Sequence, residues 1–312
     1  CVREEKAGKT VRMVEVDAPL ALVRQVGSVV GEVGFRELRG VVDVPVIQRD
    51  GSVLNVDGWD KESRLVVRVG DAFEDCGLGG GEIVTDKEAD RALAQLMHPF
   101  RAFPLEGAES KGALLAALLT AVVRPALPTA PAFALDAPAA GSGKTLLGQC
   151  LMALAGGGTL YAPLPVRQED EVAKVLLSVL TDKPKAALFD NQIGLLDSAS
   201  LAAVLTSAEY SGRILGQTKQ VRIDTGLMVL FSGNNMTIVG DMTRRVLRVR
   251  IDPECEMPAM REFDFDPLQE VVRNRRDMVV SALKLIRWAM QRREGAGKGR
   301  IGSFEVWDEI VG

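Results

Sequence analysis

The sequence predicts an α/β fold with a largely parallel sheet flanked by helices, and three observations indicate it. The chain has 312 residues, of which 47% are hydrophobic and 26% charged, as in globular proteins with a sizeable core. Beyond residue 110, apolar stretches with helical spacing alternate with compact strand-like runs, which is typical of parallel strands joined by helices. A glycine-rich segment lies between one of these strands and the helix that follows it.

Residues 1–82 predict a small β-rich or mixed module that precedes this sheet. Its strand-like runs lie at residues 41–47, 53–56 and 65–69. Turn-forming pairs such as Asp50-Gly51 and Asp57-Gly58 separate them, so we expect short strands there. Residues 86–97 then have the apolar spacing of an amphipathic helix.

Residues 83–265 predict the α/β core, and residues 266–312 predict a helical subdomain with a long amphipathic stretch at 267–294. The core strands are expected at 131–136, 185–190 and 227–232, with a further alternating segment at 247–251. The core helices are expected at 111–124, 144–155, 169–181 and 198–208. The chain begins with Cys1 and stops at Gly312 just after an apolar segment, so we expect it to be a fragment.

The composition argues against several classes of function. The net charge of -4, from 38 Lys and Arg against 42 Asp and Glu, excludes a protein that coats nucleic acid through bulk positive charge. The 4 cysteines form no CxxC pair and His98 is the only histidine, which argues against zinc fingers, histidine metal sites and Ser/His/Asp triads. No apolar run approaches the roughly 20 residues of a membrane span. Scattered thiols suit a reducing compartment, so we expect a cytoplasmic protein.

The strongest motif is the glycine-rich segment that follows the strand at 131–136. Its backbone amides are expected to wrap phosphates at a helix N-terminus, with Lys144 reaching the outer phosphates and Thr145 binding a magnesium ion. The predicted phosphate-binding residues are Pro138, Ala139, Ala140, Gly141, Ser142, Gly143, Lys144 and Thr145. The general pattern has glycine where this chain has Pro138. The Gly-Ser-Gly-Lys-Thr core, with its strand and helix, still favours nucleotide binding over a chance match.

A carboxylate at the end of the strand at 185–190 is the predicted partner of that motif. Asp190 is expected to hold the magnesium ion. Asn191 follows it where a catalytic glutamate is usual, so we expect its amide, or another residue, to orient the attacking water. The alternative is a surface Asp-Asn turn after a buried strand.

Two pairs of polar residues follow the strand at 227–232. Asn234 and Asn235 are predicted to sense the γ-phosphate, with an ordinary Gly-Asn-Asn turn as the alternative. Arg244 and Arg245 are predicted to stabilise the transition state in a neighbouring subunit, which would make hydrolysis depend on assembly. The alternative is a solvated or salt-bridged surface pair. The residue types leave open which member of each pair takes the role.

Residues 213–224 predict a hairpin inserted before the strand at 227–232, with Thr218, Lys219 and Gln220 at its tip. A lysine at such a tip, facing the central channel of a ring, would contact phosphates without reading sequence. The charge pattern alone favours a plain solvated hairpin.

Together these motifs resemble the AAA+ ATPase modules of replicative helicases, often joined to primases, that phages, plasmids and integrated mobile elements carry. The likeness runs from about Phe35 to the C-terminus. Its most specific parts are the phosphate-binding segment, Leu188-Phe189-Asp190-Asn191, Ser232-Gly233-Asn234-Asn235, Gly240-Asp241, Arg244-Arg245, Arg250-Ile251-Asp252, Pro258 and Arg261-Glu262-Phe263.

The resemblance implies an AAA+ type fold with ATP and Mg²⁺ as cofactors. It implies a ring of identical subunits that translocates on single-stranded DNA, without reading its sequence, and unwinds DNA during replication of a mobile element. Lys219 and Arg222 are the implied DNA contacts, and replication proteins are implied partners. From the length of the apolar runs we expect no membrane partner. Two alternatives stay open. One is an ATP-driven switch or loader that recruits replication partners without unwinding, and the other is a phosphotransferase that acts on a small molecule.

Overall fold

The computed structural model describes residues 2–7, 10–15, 18–28, 38–73, 76–79, 82–213, 220–253, 264–292 and 301–312. The chain divides into two compact units, Cys1–Arg39 and Gly40–Gly312. In the first unit, strands β1 (Val2–Ala7) and β2 (Thr10–Glu15) form an antiparallel pair that helix α1 (Leu20–Ser28) follows. The predicted division of the sequence after residues 82 and 265 stays a prediction.

The second unit begins with five short strands. They are β3 (Gly40–Val42), β4 (Val46–Ile47), β5 (Val53–Leu54), β6 (Gly58–Trp59) and β7 (Leu65–Val67). β3 and β6 flank β7 in one small sheet, whereas β4 pairs with β5 in another. The prediction of one strand over residues 41–47 is therefore wrong, and Pro45 lies at the break because it has no amide hydrogen to donate.

A five-stranded parallel sheet forms the centre of this unit. In spatial order its strands are β16 (Val246–Arg250), β8 (Ala132–Ala137), β14 (Met228–Asn234), β10 (Ala186–Gln192) and β9 (Thr159–Tyr161). All neighbouring pairs are parallel, so every strand ends at the same edge of the sheet. The predicted α/β fold class is confirmed.

Helices flank this sheet and follow it at the C-terminus. They are α2 (Asp86–Met97), α3 (Gly107–Val123), α4 (Lys144–Ala155), α5 (Glu169–Asp182), α6 (Ala199–Thr206), α7 (Pro267–Arg292) and α8 (Glu305–Ile310). The remaining strands are β11 (Leu195–Leu196), β12 (Glu209–Arg213), β13 (Gln220–Asp224) and β15 (Thr237–Ile238). Within the described ranges, no helix has both the length and the apolar character of a membrane span.

Close packing of α4 on the sheet depends on a glycine. A Cβ atom at Gly148 would lie 2.5 Å from Cδ2 of Leu188 and 3.3 Å from Cδ1 of Leu135. The helix can therefore approach β8 and β10 more closely than a larger residue would allow. This packing brings the first turn of α4 to the edge of the sheet where the strands end.

Arg124 anchors the segment between α3 and β8. Its side chain is buried, and its three guanidinium nitrogens donate to the carbonyl oxygens of Leu227 at 2.9 Å, Leu127 at 2.7 Å and Thr225 at 2.7 Å. These bonds hold the residues that lead into β14 beside the end of α3.

We expect Arg124→Met to lower the free energy of unfolding by about 3 kcal/mol, because three buried carbonyls lose donors from an ionised group. Urea unfolding with an unchanged m value measures this loss. Lys111→Met, on the exposed face of α3, is the control and should change stability by less than about 0.5 kcal/mol. Equal effects of the two substitutions would contradict the role given to Arg124.

Candidate functional site

The glycine-rich segment forms a closed loop between β8 and α4. Gly141 and Gly143 adopt left-handed backbone conformations, with φ values of 74° and 91°, which glycine adopts without strain. The hydroxyl of Ser142 donates to the carbonyl oxygen of Ala139 at 2.7 Å, and Nζ of Lys144 donates to the same oxygen at 2.8 Å. The loop thus curls around one carbonyl at the N-terminus of α4.

The loop fits the phosphates of a nucleotide. Burial lowers the pKa of Lys144, and the carboxylates of Asp136 and Asp190 only partly oppose that effect. A buried ammonium group whose hydrogen-bond partner is a neutral carbonyl is suited to receive an anion. The backbone amides of residues 140–145 donate no hydrogen bond to any described residue, as is usual where a helix begins, so they too can bind an anion.

Thr145 and Asp190 meet as the sequence predicts for a magnesium site. Oγ1 of Thr145 donates to Oδ1 of Asp190 at 2.8 Å, which brings a hydroxyl and a carboxylate together next to the loop. Such oxygen donors fit Mg²⁺, which usually takes one or two protein ligands and completes its shell with phosphate oxygens and water. Asp190 lies inside β10, which continues to Gln192, and not in a turn after the strand.

Ser232 belongs to the site although the sequence analysis did not select it. Its buried hydroxyl donates to Oδ1 of Asp190 and accepts a hydrogen bond from the backbone amide of Asn191 at 3.0 Å. Asn191 has a left-handed conformation with φ of 58°, in a bulge between Phe189 and Gln192. The single hydroxyl thus holds both the candidate metal ligand and the backbone of the candidate water-orienting residue. Its polar character at the end of an apolar strand was the available signal.

The two asparagines of the candidate sensor differ in their contacts. Asn234 is the last residue of β14, and its exposed side chain forms no hydrogen bond with the described part of the chain. Asn235 begins the turn with φ of 46°, and its backbone amide donates to Ala137 O at 3.0 Å. Nδ2 of Asn235 donates to Pro138 O at 3.4 Å. Asn235 is fastened to the start of the loop, whereas Asn234 is available to a ligand.

The two arginines also differ. Both contact Asp241, whose pKa the hydrogen bonds from Arg245 and Arg244 lower. The side chain of Arg244 is 68% exposed and that of Arg245 only 11% exposed. Arg244 can therefore reach a neighbouring molecule, whereas Arg245 is nearly buried and bonded to Asp241.

A hairpin is present as the antiparallel pair β12 and β13, but its first strand, Glu209–Arg213, ends where the predicted hairpin of residues 213–224 begins. One face packs on the core, because Tyr210 and Ile223 contact it and a Cβ at Gly212 would lie 2.9 Å from Leu177. The other face is exposed and carries Arg222 opposite Ser211. Gln220 is the first residue of β13 and not part of the connection, while Thr218 and Lys219 lie outside the described residues.

Arg213 is a second basic residue on this exposed face, where it pairs with Gln220. It was not among the predicted DNA contacts. The strict alternation of polar and apolar residues along the two strands was the signal for it, because alternate residues share a face.

No family model matches the chain, and no curated protein matches it. Among solved structures it is similar to the apo A form of the NrS-1 C-terminal region, with a TM-score of 0.45 and 13% identity over 90% of this chain and 64% of that chain. A second structure of that region, residues 305–718, has a TM-score of 0.41 and 12% identity, over 90% of this chain and 63% of that chain. The chain thus spans less than two thirds of the length of these two relatives.

A JCV helicase with a bound thiazolopyridinyl phenoxyphenyl acetamide gives a TM-score of 0.30 and 12% identity, over 73% of this chain and 68% of that one. These values carry no argument about function, which rests on the geometry of the site.

We expect Ser232→Ala to raise the Mg²⁺ concentration needed for tight nucleotide binding several-fold, because Asp190 loses a donor that orients it. Titration of Mg²⁺ at fixed ATP, read by calorimetry, measures the change. Ser281→Ala removes another buried hydroxyl bond, to Oε1 of Gln95 at 3.0 Å, and is the matched control. A shift of the same size in both variants would count against the role of Ser232.

Proposed function

We propose that the chain is an ATPase that assembles into a ring and moves on single-stranded DNA, separating its strands during replication of a mobile element. One observation carries the proposal. The phosphate loop, the Thr145–Asp190 pair and the free Asn234 meet where three adjacent parallel strands, β8, β14 and β10, end at one edge. Ligands of open α/β sheets bind at this edge.

Different residues of the site would have different roles in ATP hydrolysis. Lys144 would neutralise charge on the outer phosphates, and Thr145 and Asp190 would hold the metal. Mg²⁺, when bound, supplies positive charge to the β- and γ-phosphates. Asn191 and Asn234 would orient the attacking water by hydrogen bonds, since an amide side chain cannot take up its proton. Such positioning and electrostatic stabilisation make up most of phosphoryl-transfer catalysis.

We assign the role in a neighbouring subunit to Arg244, because its exposed guanidinium can extend outward. An arginine supplied in this way stabilises transition-state charge and is worth about 10³–10⁵ in rate. Arg245, being nearly buried, would instead hold Asp241 in position.

We assign DNA contact to the exposed face of the hairpin, through Arg213 and Arg222, with Lys219 at the connection. The two arginines lie on the half of this face nearer the connection, whereas Glu209 and Asp224 face each other at its other end, so the basic part is the end next to the connection. Contacts of this kind bind phosphates without reading base sequence.

The alternative is an ATP-driven switch or loader that recruits replication partners without unwinding. Asn191 favours it, because a site without a carboxylate base suits slow hydrolysis.

The test of the proposal is steady-state ATP hydrolysis against protein concentration, with and without single-stranded DNA. We expect activity to rise more than in proportion to concentration, to be stimulated by DNA and to be lost in Lys144→Ala. Lys111→Ala is the control for loss of a lysine. Activity that is proportional to concentration and indifferent to DNA would overturn the ring motor, and activity without separation of a forked duplex would favour the loader.

Mixed subunits test the role of Arg244. Lys144→Ala and Arg244→Ala should each be inactive alone and regain part of the activity when mixed, because some sites then combine an intact lysine with an intact arginine. Recovery with Arg245→Ala in place of Arg244→Ala would assign the role to Arg245. No recovery with either would mean that the arginines do not act between subunits.

For the hairpin, we expect Arg213→Ala and Arg222→Ala each to reduce the slope of log affinity against log salt concentration by about 0.7 for single-stranded DNA. Arg273→Ala, at an exposed position of α7, is the charge-matched control and should leave the slope unchanged. Equal slopes in all variants would exclude this face from the DNA contact.

A further inference from the structure

Arg250 lies at the candidate site, and the sequence motifs assign no role to it. It ends β16 and lies opposite Asp136 in the parallel pairing with β8. Its Nη1 donates to Oδ2 of Asp136 at 2.7 Å, and Asp136 is completely buried. A buried carboxylate needs such compensation, so this contact alone would be ordinary.

The guanidinium of Arg250 also makes contacts that do not involve the carboxylate of Asp136. Its Nη2 donates to Oδ1 of Asn235 at 3.3 Å, and its Nε lies 2.7 Å from Oε2 of Glu106. A second cation, Arg248, also lies near Asp136, with its Nε 3.9 Å from Oδ2. The contact with Asn235 therefore does more than balance the charge of Asp136.

Asp136 and Arg250 together hold the turn after β14 from two sides. Oδ1 of Asp136 accepts the backbone amide of Met236 at 2.9 Å, while Arg250 holds the side chain of Asn235. Hydrogen bonds from Asn235 to the carbonyl oxygens of Ala137 and Pro138 also connect this turn to the start of the phosphate loop. Asn234 directly precedes this turn, so its backbone position follows from that of Asn235.

We infer that Arg250 is a positioning residue for nucleotide discrimination. By holding Asn235 against the start of the phosphate loop, it sets where Asn234 meets the terminal phosphate. The inference rests on the proposed function, since it assumes that the loop binds ATP. Three separate guanidinium nitrogens reach Asp136, Asn235 and Glu106, a geometry that the compact ammonium group of lysine does not reproduce.

The experiment compares the affinities of Mg²⁺-adenylyl imidodiphosphate and Mg²⁺-ADP, both measured by calorimetry. Only the first carries a γ-phosphate group. In Arg250→Gln we expect the affinity ratio to fall about tenfold, the size of losing one hydrogen bond to an ionised group. The affinity for ADP should stay within about twofold, because the loop itself is intact. Arg250→Lys should behave like Arg250→Gln although it keeps the charge near Asp136.

Three further variants separate positioning from a loss of stability. Arg287 lies on α7, away from the site, and its guanidinium donates to the carbonyl oxygens of Gly51 and Leu78. Arg287→Lys removes these bonds and should leave the ratio of the two nucleotide affinities unchanged. Asn235→Ala should lower the ratio as Arg250→Gln does, and the double variant should be no worse than either alone, since both break one chain of contacts.

An unchanged ratio in Arg250→Gln, or additive effects in the double variant, would overturn the inference while leaving the proposed function intact. Equal loss of affinity for both nucleotides would mean that Arg250 only stabilises the loop. A wild-type chain that binds neither nucleotide would overturn the proposed function itself.

Discussion

Two carboxylates at one edge of the central sheet, Asp136 and Asp190, impose the main constraint on this structure. Both lie beside the buried ammonium of Lys144, and both oppose the effect of burial on its pKa. The two carboxylates differ in the groups that bond to them. Asp136 receives a guanidinium, whereas Asp190 receives the hydroxyls of Thr145 and Ser232. A carboxylate bonded only by neutral donors keeps its charge available for a cation, whereas one paired with arginine has its charge balanced within the fold.

This difference separates a structural half of the candidate site from the half that we propose to be reactive. The structural half contains Asp136, Arg250 and the turn at Asn235, and it ties the end of β14 to the start of the phosphate loop. The other half contains Asp190 and the exposed side chains of Asn191 and Asn234. β14 contributes to both halves because it lies between β8 and β10.

Much of this could be predicted from the sequence. The phosphate loop, the helix at Lys144 and the strand that ends near Asp190 are local patterns, and the structure has each element within a few residues of its predicted bounds. The strand predicted at 227–232 extends to Asn234, because its polar end still pairs with β8. The prediction of one strand at 41–47 was wrong, because the missing amide hydrogen of Pro45 outweighed the strand preference of the apolar residues around it.

The sequence by itself determined the α/β class and the residue types of a phosphate site, because periodicity and loop chemistry depend on neighbours within one turn or one strand. Only the tertiary structure decided that β14 separates β8 from β10, and hence that Ser232 meets Asp190 and that Arg250 meets Asp136 across 114 positions of the chain. It also distinguished Asn234 from Asn235 and Arg244 from Arg245. Adjacent residues of one type have the same local pattern. Only the folded structure shows that Arg245 is nearly buried while Arg244 is exposed, and that Asn235 rather than Asn234 bonds to the start of the phosphate loop.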